Sequence, residues 1–413
     1  MKILSKLKRI DGRSEAPADT IALLEKQLAG HDYWIHEEQL AEHLHWSVLY
    51  IEELEFRSMG KGVTAALSRA GALAEAAEWL LAREVVDLPG YTVAHQDELM
   101  SRVVGLEELL SHVAGATPPV VAELKNSDAA QHWVDGFSLT RDEPVKVPIE
   151  YVSQIGGPNG KASGNCLEEA IVHAALEVFE RRAHITTLRQ RLVLPTIDPE
   201  TITDPMVLEH MAYLAERGIE WVVKDLSFGG ALPCVGVYFF DPHIPADLQF
   251  KHFFKVGSSF DRRLALTRCF TEYVQGRLAD EFIDGSTAEQ ERILQHDFRQ
   301  LPAQPVHCDN FLSAFMFGFV PTGDANFLRQ GEVVPFEPGI AFADLQEDIA
   351  AAKAVCDALG KELIVVDHSD PETGFAVAQV IVPGYSDAIP YHPANSPVLY
   401  RAVTRPEVVA GYS

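Results

Sequence analysis

The stretch that most constrains this chain is residues 157–182, GPNGKASGNCLEEAIVHAALEVFERR, where a Gly-rich turn runs into a long helix. That helix carries Glu169, Glu177, Glu180 and Arg181. Residues three and four apart share a helix face, so Glu177, Glu180 and Arg181 lie near one another. Glu169 sits ~12 Å upstream at ~1.5 Å per residue, turned only about 80° from Glu177. Two carboxylates one turn apart beside a guanidinium suit a magnesium-phosphate site. Taken alone, they suit a solvated helix face equally well.

The pattern recurs. GKGVTAALSRAGALAEAAEWL, from Gly60, places Glu75 and Glu78 three apart, with Lys61 in its opening turn. GSSFDRRLALTRCFTEYVQGR, from Gly257, carries Arg268, Glu272, Gln275 and Arg277. Each follows a strand-like segment and a Gly- or Ser-bearing turn. Each then has a small-residue helix, an acid and a second polar group one turn on. Three recurrences argue against three unrelated solvated faces.

The rest of the chain reads as mixed helices and strands without a strict βαβ rhythm, so α+β is the expected class. A helix is predicted over 19–29, capped by Asp19 or Thr20. Trp46–Phe56 reads as a strand leading into a turn at Ser58–Gly62, and Ala65–Glu84 as a long helix. Residues 86–144 read as an irregular insertion with a helix at Leu106–Ala114. Val145–Val152 reads as an edge strand because of Pro148. Thr201–Arg217 is predicted helical, stopped by Gly218. Ile219–Asp225 and Cys234–Phe240 read as strands joined through Gly229 and Gly230. His252–Ser258 is a strand, and Asp261 opens the third helix. Helices are expected at 286–299 and 346–359, strands at 363–366 and 375–382, and packed irregular chain after Pro383.

Composition narrows the function. A net charge of -26 repels nucleic acid, so a phosphate-backbone binder is not expected. Five cysteines, an odd number with no CxxC spacing, fit neither a disulfide framework nor a zinc ribbon. MKILSKLKRIDG has no long apolar core, and no run of apolar residues is long enough to span a bilayer. A cytoplasmic protein without membrane contact is expected.

These motifs together resemble the YcaO-domain family, ATP- and magnesium-dependent proteins that activate peptide backbone amides. The match is carried by GKG at 60–62 with ALAEAAE at 72–78, NGKASGN at 159–165 with EEA at 168–170, LEVFERR at 176–182, and TEYVQGR at 271–277. The Gly pair at 229–230 and VIVPGYSDAIP at 380–390 agree further. The resemblance is strongest to the type linked to methylthiolation of a small-ribosomal-subunit protein. It implies a YcaO-like fold of mixed sheets and long helices enclosing an ATP and Mg2+ site. It also implies an N-terminal helix-strand segment at 1–57, the catalytic domain at 58–393 and a tail at 394–413.

By resemblance, Glu75, Glu78, Glu177 and Glu180 are the magnesium carboxylates. Arg181, Gln275 and Arg277 match positions that touch the nucleotide, joined on the same helices by Arg268 and Glu272. Asn165 and Glu169 match the entry of the second helix. Arg13 and Thr20 resemble a basic residue and a hydroxyl that reach the nucleotide from the N-terminal segment, and Lys61 is a phosphate ligand or structural. Arg181, Arg277 and Glu177 are the expected catalytic groups. Trp79 stands where many members have Arg, and Ala72, Ala162 and Ala174 stand where Ser is common, but the acids survive.

The expected activity is phosphorylation of a peptide or protein amide oxygen, giving a thioamide or azoline. The alternative is an ATP-binding accessory factor for ribosomal-protein methylthiolation without amide chemistry of its own. The last residues, VVAGYS, lack the PxPxP of azoline-forming members, which favours thioamide formation or the accessory role. Partners would be the peptide or protein substrate and a sulfur donor or radical enzyme. A homodimer is compatible, since members are often dimeric.

Two side features stay open. His31, His36, His43 and His45 read as a surface or packed strand group, or as a metal site, with His43 and His45 on one strand face. Asp367, His368, Asp370 and Glu372 follow a strand, a place for substrate contacts. Cys166 opens the key helix, where the helix terminus would lower its thiol pKa; a core role is the plainer reading.

Overall fold

The computed structural model describes residues 1–9, 12–83, 91–111, 121–122, 131–149, 151–152, 159–243, 251–282 and 325–386. Two compact units emerge, one from residues 1–15, 78–182 and 343–413, the other from 16–77 and 183–342.

In chain order the elements begin with α1 (Pro17–Gln27), β1 (Tyr33–Ala41), β2 (Leu44–Ile51), β3 (Phe56–Gly62) and α2 (Ala65–Arg83). Next come β4 (Thr92–Ala94), α3 (Leu106–Leu109), β5 (Gln131–Ser138), β6 (Glu143–Pro148) and β7 (Lys161–Gly164). The key helix α4 (Leu167–Gln190) precedes β8 (Thr196–Ile197), α5 (Pro205–Glu216), β9 (Glu220–Asp225), β10 (Cys234–Phe240) and β11 (His252–Ser258). The third acid-bearing helix, α6 (Arg262–Phe282), is followed by α7 (Asn326–Arg329), β12 (Val333–Val334), α8 (Leu345–Ala358), β13 (Ile364–Asp367) and β14 (Ala376–Ile381). The unit division cuts α2 after Ala77 and α4 after Arg182.

The first unit is built on a sheet ordered β4-β5-β13-β14-β7, with β6 on the far side of β5. β14 is buried along its whole length and pairs with β13 on one side and β7 on the other. Val134, Val145, Val147, Ile364, Val366 and Ile381 form its core with Leu106 and Leu109. The second unit holds an antiparallel β1-β2-β3 meander and a sheet ordered β11-β10-β9-β8-β12. Its core gathers Val235, Val237 and Phe239 of β10, Phe270 and Tyr273 of α6, and Met211 and Leu214 of α5. Phe239 stacks on Tyr273 at 4.1 Å between ring centroids.

The mixed α+β class is borne out, and most elements fall where the pattern puts them. Several expectations are corrected. Ser58–Gly62 is strand, not turn, because β3 continues through it in register with β2. Gly60 is needed for a different reason: a Cβ there would sit 1.9 Å from the Ser68 carbonyl oxygen of α2. The 46–56 strand is two strands, broken by a 3-10 turn at Glu52–Leu54. Helix α1 starts at Pro17 with no side-chain cap, leaving Asp19 in its first turn and Thr20 bonded to the Ala16 carbonyl. The stretch 86–144, expected to be irregular, holds β4, β5 and the start of β6. β5 pairs with β13, over 200 residues away in sequence. The helix expected at 286–299 and the chain after 386 lie outside the described residues.

Candidate functional site

In the first unit, β7 turns directly into α4. Gly164 permits that turn, since a Cβ would lie 2.5 Å from the Ala170 amide nitrogen. Four donors then converge on Glu169, which is 0% exposed. Arg13 Nη1 reaches Oε1 at 3.1 Å. The Ser14 N–H and hydroxyl both donate to Oε2 at 2.8 Å. Asn165 Nδ2 lies 3.0 Å from Oε1 and 3.1 Å from Oε2. Burial opposes ionisation, but the Arg13 and His173 charges and the Ser14 donors outweigh it, bringing the carboxyl to about 2. Arg13 also contacts His173 Nδ1 at 3.0 Å. The structure therefore brings together Arg13, Asn165 and Glu169, three of the expected residues.

The other carboxylates of this unit are held differently. Ser163 of β7 gives Glu78 Oε1 its backbone N–H at 2.8 Å and its hydroxyl as well. The Gly160 N–H donates to Glu177 Oε2 at 3.2 Å. Arg181 lies one turn on, with Nε and Nη2 each 3.4 Å from Glu177 Oε1. Glu180 is half-buried on the same helix.

In the second unit, Glu75 accepts the Met59 N–H at 3.0 Å. Its carboxyl is raised by crowding from the surrounding chain, against the Met59 bond and the Lys61 and Arg57 charges. Lys61 of β3 pairs with Glu272 of α6 at 2.8 Å, joining two expected nucleotide residues. Arg268 Nη1 reaches the Ser258 carbonyl at 3.5 Å, and Gln275 is half-buried on the same helix. The Arg277 side chain lies outside the described ones. Thr20 Oγ1 bonds the Ala16 carbonyl at 3.3 Å within α1.

The side features resolve. His43 sits in the turn between β1 and β2, so it shares no strand face with His45. Its Nδ1 is 2.5 Å from Glu209 Oε2 and its N–H 2.9 Å from Oε1, while His31 meets Glu53. Among the described residues, Glu42, His43 and Glu209 alone bring three such donor atoms within 4.8 Å. The hydrogen bond to Glu209 raises the His43 pKa. Asp370 is spent on turn N–H and hydroxyl donors of Glu372 and Thr373. His368 is buried against Gln379 Oε1 at 3.2 Å, and burial, with the nearby Lys161 charge, lowers it to about 4. Burial pushes the Cys166 thiol up, against the lowering that a helix terminus can bring. Cys234, Cys269 and Cys356 are buried free thiols.

Sequence reasoning passed over Ser14 and the backbone N–H groups of Met59, Gly160 and Ser163. An amide donor carries no residue identity, so no motif announces it. Ser163 was visible only as a neighbour of the expected position 162.

The donor chemistry fits magnesium, a hard cation that takes carboxylate oxygens and bridges them to phosphate. The acids stand as two pairs one helical turn apart. Three of the four accept a backbone N–H, the kind of outer bond that orients a ligating carboxylate.

Comparison with known proteins agrees. A family model described as YcaO cyclodehydratase, ATP- and Mg2+-binding, matches residues 59–386. The ribosomal protein S12 methylthiotransferase accessory factor YcaO of Escherichia coli (strain K12) is 26% identical over 261 residues, 62% of this chain and 41% of that protein. An uncharacterised protein of Methanothermobacter thermautotrophicus is 28% identical over 232 residues, 53% of this chain and 56% of its own. The chain thus spans about half the length of these curated relatives. A heterocyclase solved in complex with substrate and cofactor superposes with a TM-score of 0.68 at 19% identity, over 93% of this chain and 54% of that one. YcaO from Methanopyrus kandleri, bound with AMPPCP and Mg2+, gives 0.62 at 16% identity, over 93% and 95%. At these identities the structures speak for the fold, and the family match across most of the sequence decides the rest: this chain belongs to the YcaO family.

Proposed function

We propose that this chain binds Mg–ATP and uses it to phosphorylate a backbone amide oxygen of a peptide or protein. The observation that carries the reading is the common handling of Glu75, Glu78 and Glu177. Each is a helix carboxylate accepting a backbone N–H, from Met59 at 3.0 Å, Ser163 at 2.8 Å and Gly160 at 3.2 Å. With Glu180 they supply the oxygen ligands. Magnesium, when bound, draws off negative charge that grows on the phosphate oxygens during transfer.

The chain's own residues do the rest. Glu169, itself held by Asn165, holds Arg13, whose guanidinium then serves the nucleotide as a fixed cation. Arg181 exchanges its long contact with Glu177 for a phosphate oxygen, stabilising the developing charge. Lys61, Arg268, Glu272, Gln275 and Arg277 complete the nucleotide contacts, with Thr20 from α1. The amide oxygen attacks the terminal phosphorus and ADP leaves. A sulfide-level nucleophile then attacks the amide carbon, giving up a proton as phosphate departs to leave a thioamide, or a side-chain thiol or hydroxyl does the same to leave an azoline. A cytoplasmic setting fits, and among the described residues no helix is long and apolar enough to cross a membrane.

The test is calorimetry and turnover on the full chain with Mg2+, ATP and candidate peptides. Binding that vanishes in Glu177→Ala, with peptide-dependent ADP release, is the expected result. No ATP binding by a folded wild-type protein would sink the reading.

A second reading, an ATP-binding accessory factor without amide chemistry, draws support from the similarity to the Escherichia coli accessory factor. Nucleotide-dependent capture of a ribosomal protein or its modifying enzyme, with no ADP release on any peptide, would favour it.

A further inference from the structure

The sheet of the first unit carries a cation that the site above leaves unused. Lys161 of β7 pairs in register with Gln379 of β14, and Gln379 with Val366 of β13. Residues directly opposite in antiparallel strands project from one face, as do residues two apart along a strand. Lys161, Ser163, Gln379 and His368 therefore share a face, and the His368–Gln379 bond at 3.2 Å agrees. The Ser163 hydroxyl meets Glu78 from this face.

Lys161 differs from Arg13, Lys61 and Arg181. Arg13 pairs with Glu169, Lys61 with Glu272 and Arg181 with Glu177. Lys161 is half-buried, yet among the described residues no carboxylate forms an ion pair with its ammonium. The charge of Glu78 acts on it and offsets part of its lost hydration. Once magnesium shares the charge of Glu78, that offset shrinks and the ammonium needs another anion. A lysine ammonium is a compact point charge on a flexible stem, well matched to a single phosphate oxygen.

We propose that Lys161 binds the terminal phosphate of the nucleoside triphosphate beside Glu78, and so sets the preference for ATP over ADP. This rests on the nucleotide reading above. His368, buried and bonded to Gln379, brings no competing anion to this face.

The experiment titrates the full chain with ATP and with ADP, both with Mg2+, by calorimetry. Lys161→Met is expected to lose ATP affinity roughly ten- to hundredfold, the usual worth of a charged hydrogen bond, with ADP affinity within about twofold. Lys161→Arg, which keeps the charge, should stay within about fivefold of wild type for ATP. An unchanged ATP-to-ADP ratio in Lys161→Met overturns this inference alone. Parallel loss of both affinities overturns it too, because the side chain would then be supporting the fold. Failure of the wild type to bind either nucleotide would overturn the nucleotide reading and this inference with it.

Discussion

Glu169 and Glu177 stand two turns apart on one helix, and the structure treats them in opposite ways. Glu169 is sealed: both oxygens are engaged by Arg13, Ser14 and Asn165, and no part of it is exposed. Glu177 is half-buried, with one backbone donor at 3.2 Å and two long guanidinium contacts at 3.4 Å. A carboxylate that is fully hydrogen-bonded inside the protein is committed to holding structure. Glu177, with a backbone N–H and long guanidinium contacts, is oriented yet remains only half-buried. The same residue type on the same helix is therefore held in two ways, and Glu169 fixes Arg13.

The strongest way to break this comparison is to empty the sealed position. Glu169→Ala leaves the buried Ser14 donors and Asn165 facing a cavity, and each unmet buried donor costs about 1–3 kcal/mol. Chemical denaturation should show that loss; a change below about 1 kcal/mol would mean the cluster is not structural.

The next effect is pH dependence. The Glu169 carboxyl falls from its ordinary 4.5 to about 2 in the folded protein. A depressed acid contributes stability above its unfolded pKa and loses it as pH falls through the folded value. The window is thus from about pH 4.5 down to about 2, and the contribution is about 3 kcal/mol. Glu169→Gln should flatten that part of the stability profile relative to wild type. Parallel profiles for the two proteins would count against it.

Glu177→Ala should show the mirror image. Its contacts with Arg181 are long and partly solvated, so unfolding free energy should change by less than about 1 kcal/mol. Mg-dependent ATP affinity should fall roughly 100-fold or more, as expected for a lost metal ligand. A large stability loss with intact ATP binding would erase the distinction from Glu169.

The contrast between the two glutamates was only half legible in the sequence. The helix, the one-turn spacing of Glu177 and Glu180, and the matching pairs on α2 and α6 follow from helical periodicity, a local property. The sealing of Glu169 is not local, because Arg13 and Ser14 lie over 150 residues upstream. The same holds for β5, whose partner β13 comes late in the chain, so that its surroundings read as irregular. β3 misled for a different reason. Gly60 and Gly62 look like turn residues, yet they are strand residues that let α2 lie close on the backbone. Where glycine serves close approach and not bending, composition alone gives the wrong element.

Ser163 offers the finest test, because it separates orientation from ligation. Its hydroxyl and N–H both go to Glu78 Oε1, so Ser163→Ala removes one donor and leaves the other at 2.8 Å. The carboxylate stays in place but is less firmly aimed. Outer-shell losses of this kind typically weaken metal affinity about tenfold. The expected result is therefore a tenfold higher Mg2+ requirement for ATP binding, and recovery of wild-type affinity at saturating Mg2+. Ser163→Thr, which restores a hydroxyl, should recover most of the loss. An unchanged Mg2+ requirement in Ser163→Ala would show that the backbone N–H alone fixes Glu78. The orienting role would then belong to the fold of β7 and not to the side chain at position 163.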